Sequence, residues 1–113
     1  MTLHPDAIPP DALLTLAMPR SLEEEVLDTL MAHPDLATGF TVHFAEGMGI
    51  HVELATAMEQ VQGRARRVIV QIALARERLP ALVALLRQEL QNPAIAYWVS
   101  PLIAFGRMGE AQS

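Results

Sequence analysis

The sequence predicts an α+β domain, a four-stranded antiparallel sheet carrying two helices on one face, in the chain order β-α-β-β-α-β. Three observations predict it. Three segments alternate side chains with a period of two, two others repeat apolar residues at helical spacing, and a last extended run follows the second helix. The chain has 113 residues, 51% of them apolar and 19% charged, which suits one packed core rather than two.

The first strand is read at Ala12 to Met18, where Leu14, Leu16 and Met18 alternate with Leu13, Thr15 and Ala17. Before it, Met1 to Asp11 holds Pro5, Pro9 and Pro10 and no apolar run, so residues 1–11 are read as a flexible arm and not as a secretory signal. Pro19 ends the strand. Ser21 and Glu24 have the spacing of a capping box, and Glu23, Glu24 and Glu25 sit in a first turn where the helix dipole favours negative charge. Leu22, Val26, Leu27, Leu30 and Met31 then recur at helical spacing. The helix should stop near Ala32, because His33 precedes Pro34 and is biased out of the α region.

Phe40, Val42 and Phe44 alternate with Thr41, His43 and Ala45 in a second strand. Val68, Val70, Ile72 and Leu74 alternate with Arg67, Ile69, Gln71 and Ala73 in a third. Pro80 in a first turn signals the second helix, with Leu79, Leu82, Val83, Leu86 and Leu90 on one face and Asn92-Pro93 as its stop. A final extended run, Ala94 to Phe105, contains Pro101, which belongs on an edge strand. This is the ferredoxin-like split βαβ plan, whose right-handed crossovers put strands one and three in the centre. Both helices should cover Leu14, Leu16, Phe40, Phe44, Val68, Val70 and Ile72. The other sheet face carries Leu13, Ala17, Ala45, Ile69 and Ala73, and an uncovered apolar face marks an interface. We therefore expect an oligomer, with Ile69, Tyr97 and Trp98 as interface residues.

Composition excludes several classes of function. The chain has no cysteine, so disulfides, thiolate metal sites and thiol catalysis are absent. All eight basic residues are Arg, which removes lysine-dependent phosphate loops and Schiff-base chemistry. A net charge of −5 argues against nonspecific nucleic-acid binding, and no apolar stretch approaches the length of a membrane span. No nucleophile, base and orienting group stand in a recognisable set, so the chain is not read as an enzyme.

The functional signal concentrates in the connection between strands two and three, Glu46 to Arg66, far longer than a hairpin needs. With His43 just before it, this connection supplies Glu46, His51 and Glu53 as candidate ligands for a divalent ion or copper, and Met48 as a thioether that favours Cu(I). The spacing matches no fixed metal motif. At its end, Gly63 precedes Arg64, Arg66 and Arg67. Guanidinium forks bind phosphate or carboxylate bidentately and glycine admits a close backbone approach, so these residues form a candidate anion site, with Gly106-Arg107 as a second, weaker pair. The same arginines are equally suited to pairing with acidic residues of the chain or of a neighbouring copy.

Three stretches, SLEEEVLDTLMAHPDLATGFTVHFAEG, MEQVQGRARRVIVQI and YWVSPLIAFGR, resemble a bacterial family of small PII-like proteins known as domain of unknown function 3240. The resemblance covers about residues 12–107 and leaves 108–113 as a flexible tail. Members of that family are often encoded beside heavy-metal efflux pumps, and the wider group takes in the nitrogen-signalling PII proteins and CutA-like proteins. The resemblance implies a non-enzymatic regulatory or sensor protein, and an arm that does not read as a secretory signal leads us to expect it in the cytoplasm. It would be a homotrimer, with a small ligand in the clefts between subunits and a mobile T-loop at about 46–66 that contacts a partner such as an efflux pump. The ligand is left open between an adenine nucleotide and a divalent metal, and the alternative function is a metal buffer or metallochaperone. The chain departs from nitrogen-signalling PII proteins in lacking their lysines and a glycine-rich phosphate segment; Leu74-Ala75-Arg76-Glu77 stands between strand three and helix two.

Overall fold

A computed structural model of the protein describes residues 8–48 and 65–109. Four strands, β1 (Ala12–Pro19), β2 (Thr41–Gly47), β3 (Ala65–Leu74) and β4 (Ala96–Pro101), form one antiparallel sheet in the order β2-β3-β1-β4. Helix α1 (Glu23–Met31) joins β1 to β2, and α2 (Leu79–Glu89) joins β3 to β4. The predicted element order, the central pair and both edges are all observed.

The register explains which residues make the core. Directly paired residues of antiparallel strands share a face. Val42, Val70, Leu16 and Tyr97 therefore form one row on the helix face, and Phe44, Val68 and Met18 the next. Leu14, Met18, Val68, Val70 and Ile72 are fully buried there beneath Val26 and Leu30 of α1 and Leu82 of α2. Each such side chain contributes on the order of 1.5–3 kcal/mol through removal from water.

Four local readings differ from the structure, each for a physical reason. Ser21 lies inside a 3-10 turn, Arg20–Leu22, so it lacks the extended conformation of an N-cap; Leu22 takes that position and no side chain caps the helix. The acidic first turn of α1 is as expected. Met31, at the last turn of α1, is exposed rather than turned to the core. Phe44 is 62% exposed despite facing the helix side, because it sits on edge strand β2, no residue of which is buried. The last strand ends at Pro101 rather than Phe105. Pro101 pairs with Ala12, the first residue of β1, and after one further bond from Leu102 N–H to the Asp11 carbonyl the partner strand runs out.

Asp11 also binds the start of the second crossover. Its carboxylate accepts the Arg76 backbone N–H at 2.6 Å, at the head of the 3-10 turn Arg76–Arg78 that leads into α2. Pro80 stands in the first turn of α2, as expected.

Candidate functional site

β2 and β3 frame the long connection at their ends, where Gly47 pairs with Ala65. The adjoining end of the sheet is a shallow groove of about 310 Å³ lined by Arg20, Phe44, Ala45, Glu46, Arg66 and Arg67. Its lining thus includes three arginines and one glutamate.

The strand pleat sorts these side chains. Consecutive residues point to opposite faces, so Arg66 shares the helix face with Phe44 and Glu46, while Arg67 shares the open face with Ala45 and Gly47. The predicted run of arginines is divided by the sheet. Arg20, just past the end of β1, adds a cation on the Arg66 side, with its guanidinium carbon 4.8 Å from the Phe44 ring centre. Glu46 stands directly opposite Arg66 and so faces one of the three cations. On the open face the Arg67 stem lies across Gly47. A Cβ at Gly47 would come within 2.8 Å of Arg67 Cγ, so the glycine is what admits the arginine there.

Of the candidate anion residues, Arg66 and Arg67 line this groove, whereas Gly63 and Arg64 lie outside the described residues. Arg107 is not among the lining residues. β4 exits at Pro101, beside Ala12, which is the far end of β1 from the groove. Arg20 and Phe44 are additions that the sequence reading missed. Arg20 comes in through the pairing of Pro19 with Arg67, which brings the residue after β1 to the start of β3, and no sequence motif marks it.

Of the candidate metal ligands, His43 and Glu46 are described and His51 and Glu53 are not. His43 pairs with Ile69 on the open face and Glu46 with Arg66 on the helix face, so the sheet separates them. Among the described residues no group of three or more His, Asp or Glu side chains is placed to hold an ion.

The candidate interface residues divide likewise. Trp98 lies on the open face in a row with Thr15, Gln71 and Thr41, and Ile69 lies in the adjacent row with His43, Ala17 and Ala96. Tyr97 turns to the helix side, where its hydroxyl accepts a bond from Arg87 Nη2 at 2.7 Å. Trp98 is 48% exposed, and no helix covers the open face among the described residues.

An antiparallel split βαβ sheet with two helices and a long β2–β3 connection defines a ferredoxin-like fold. The family described as "Protein of unknown function (DUF3240)" matches residues 8–109, and the chain belongs to that family. Comparison with functionally curated proteins gives no match. Among solved structures, a DUF3240 family protein from Shewanella baltica OS155 is similar with a TM-score of 0.62 at 16% identity, covering 89% of this chain and 99% of that one. CPII, a nitrogen regulatory PII-like protein from Thiomonas intermedia K12 bound to ADP, AMP and bicarbonate, has a TM-score of 0.62 at 18% identity, covering 87% and 94%. CutA1 from Pyrococcus horikoshii has a TM-score of 0.64 at 8% identity, covering 86% and 88%. At these identities the similarity concerns the fold. No helix among the described residues is long and apolar enough to cross a membrane.

Proposed function

We propose that the protein is a non-enzymatic, PII-like regulator that binds a small anion and reports its presence through residues 46–66 acting as a T-loop. The observation that carries this reading is the arginine-lined groove at the point where that connection leaves β2 and returns to β3. A ligand shifts a conformational equilibrium only if it binds one state better than the other. The groove takes Arg66 from one sheet face and Arg67 from the other at the strand ends, so an anion bound there, immediately after the connection, would favour one arrangement of it. CPII, which shares the fold, was solved with ADP, AMP and bicarbonate, and these are the chemistries that guanidinium forks recognise.

On this reading the protein works in the cytoplasm as a homotrimer. The open sheet faces supply the contacts through Ile69 and Trp98, and the ligand lies in a cleft between subunits that Gly63, Arg64 and the neighbour's Arg107 complete. The efflux pumps encoded beside members of the family are the partner class that the T-loop would contact.

The test is calorimetric titration of the assembled protein with ADP, AMP and bicarbonate, repeated with Arg66→Ala and Arg67→Ala. At least one of the three should bind saturably, and each substitution should weaken it about tenfold, as expected for a charge-assisted hydrogen bond. No saturable heat with any of them, or unchanged affinity in both variants, overturns the reading.

A further inference from the structure

The opposite edge of the sheet holds a second concavity that the arginine groove does not involve. It lies between α2 and the paired strands β1 and β4, has a volume of about 200 Å³, and is floored by Leu14, Leu16, Leu86 and Leu90. All four leucines are buried. Protein interiors close to crystal density leave few voids larger than a water molecule, so an apolar recess of this size, open to solvent on one side, is a place where an apolar group can be buried.

The rim is polar and one-sided in its hydrogen bonding. Arg87 extends from α2 to the mouth, where it donates to the Tyr97 hydroxyl at 2.7 Å and lies 5.5 Å from the Tyr97 ring centre. Both are neutral. Glu89, the acidic residue nearest to it on α2, is engaged with His33 at 3.1 Å. Asn92, also at the rim, commits its side-chain oxygen to the Ala94 backbone N–H at 2.9 Å, which leaves its amide NH₂ as the group for a ligand. The rim thus offers donors and a positive charge over an apolar floor, the complement of an anion with an apolar body.

We infer that this pocket binds a small amphipathic carboxylate, its apolar part among the leucines and its carboxylate on Arg87 and Asn92. The volume suits about one substituted ring or a short acyl chain. The site is separate from the arginine groove, which lies at the β2 edge of the sheet.

Octanoate and its neutral analogue 1-octanol serve as probes, titrated into the assembled protein and followed by methyl NMR of the Leu and Val side chains. Octanoate should shift the Leu14, Leu86 and Leu90 methyls saturably, with one equivalent per chain. In Arg87→Gln, octanoate affinity should fall about tenfold while that of octanol changes less than about threefold, since only the charged contact is lost. Val83→Phe, which places a ring at the pocket wall, should abolish both. Arg87 is exposed, so its variant keeps the fold and the comparison stands even if Val83→Phe does not fold. The inference is overturned if octanoate produces no saturable shift at millimolar concentration, as when the pocket is covered by a second copy. It is equally overturned if Arg87→Gln binds octanoate as tightly as the original chain.

Discussion

Single residues in this domain separate into those that hold the fold and those available for binding, and the two sets respond differently to substitution. Leu14 and Val68 are fully buried between the sheet and the helices, so Leu14→Ala should cost about 2–5 kcal/mol, the transfer term plus that of an unfilled cavity. Chemical denaturation of the variant measures this directly, and a loss below about 1 kcal/mol would show that the core is not packed as described. Gly47 behaves otherwise. A Cβ there meets the Arg67 side chain rather than backbone, so Gly47→Ala should displace Arg67 at a stability cost of about 1 kcal/mol or less while weakening anion binding. Equal anion affinity in Gly47→Ala and the original chain would mean that the position of Arg67 does not matter.

The sheet and helices depend on pairings that differ in value. His33 Nε2 and Glu89 Oε1, 3.1 Å apart, link the end of α1 to the end of α2, but both side chains are part-exposed to solvent. Exposed pairs contribute little, so His33→Ala should change stability by no more than about 1 kcal/mol, read as a small shift in melting temperature. Asp11 matters more to its junction, because its carboxylate accepts the N–H that opens the turn before α2. Asp11→Ala should cost about 1 kcal/mol, as other lost caps do, and no loss at all would remove Asp11 from that role.

At this scale the sequence was informative wherever periodicity met a buried surface. Leu14, Leu16, Val68, Val70 and Ile72 announced their face by alternation, and Pro101 announced an edge strand. The errors fell where a neighbour decides the outcome. Ser21 lost its capping role to a 3-10 turn, Phe44 was exposed by its position on an edge, and β4 stopped where β1 offered no further partner. The arginine groove was legible in part, through Arg66 and Arg67. Arg20 joins it only through strand pairing, and the pleat that divides Arg66 from Arg67, or His43 from Glu46, becomes decisive once the faces are known.

For the whole molecule, an apolar fraction of 51% exceeds what two helices on one sheet face bury. Part of the surplus lies on the open face, where Trp98 is 48% exposed and Ile69 half-buried. The proposed trimer should scatter light with about three times the 12.4 kDa mass of the chain, and Ile69→Arg should lower that mass by placing a charge in the contact. A mass of one chain for the unmodified protein, independent of concentration, would contradict assembly through this face.

The regulatory claim itself rests on coupling between the groove and residues 46–66. Hydrogen exchange measured across that segment in the assembled protein, with and without saturating ADP, AMP or bicarbonate, tests it most directly. The account predicts that one of these anions changes exchange within 46–66 and at the ends of β2 and β3, and that the change disappears in Arg67→Ala. A saturated groove with unaltered exchange throughout the segment would contradict it.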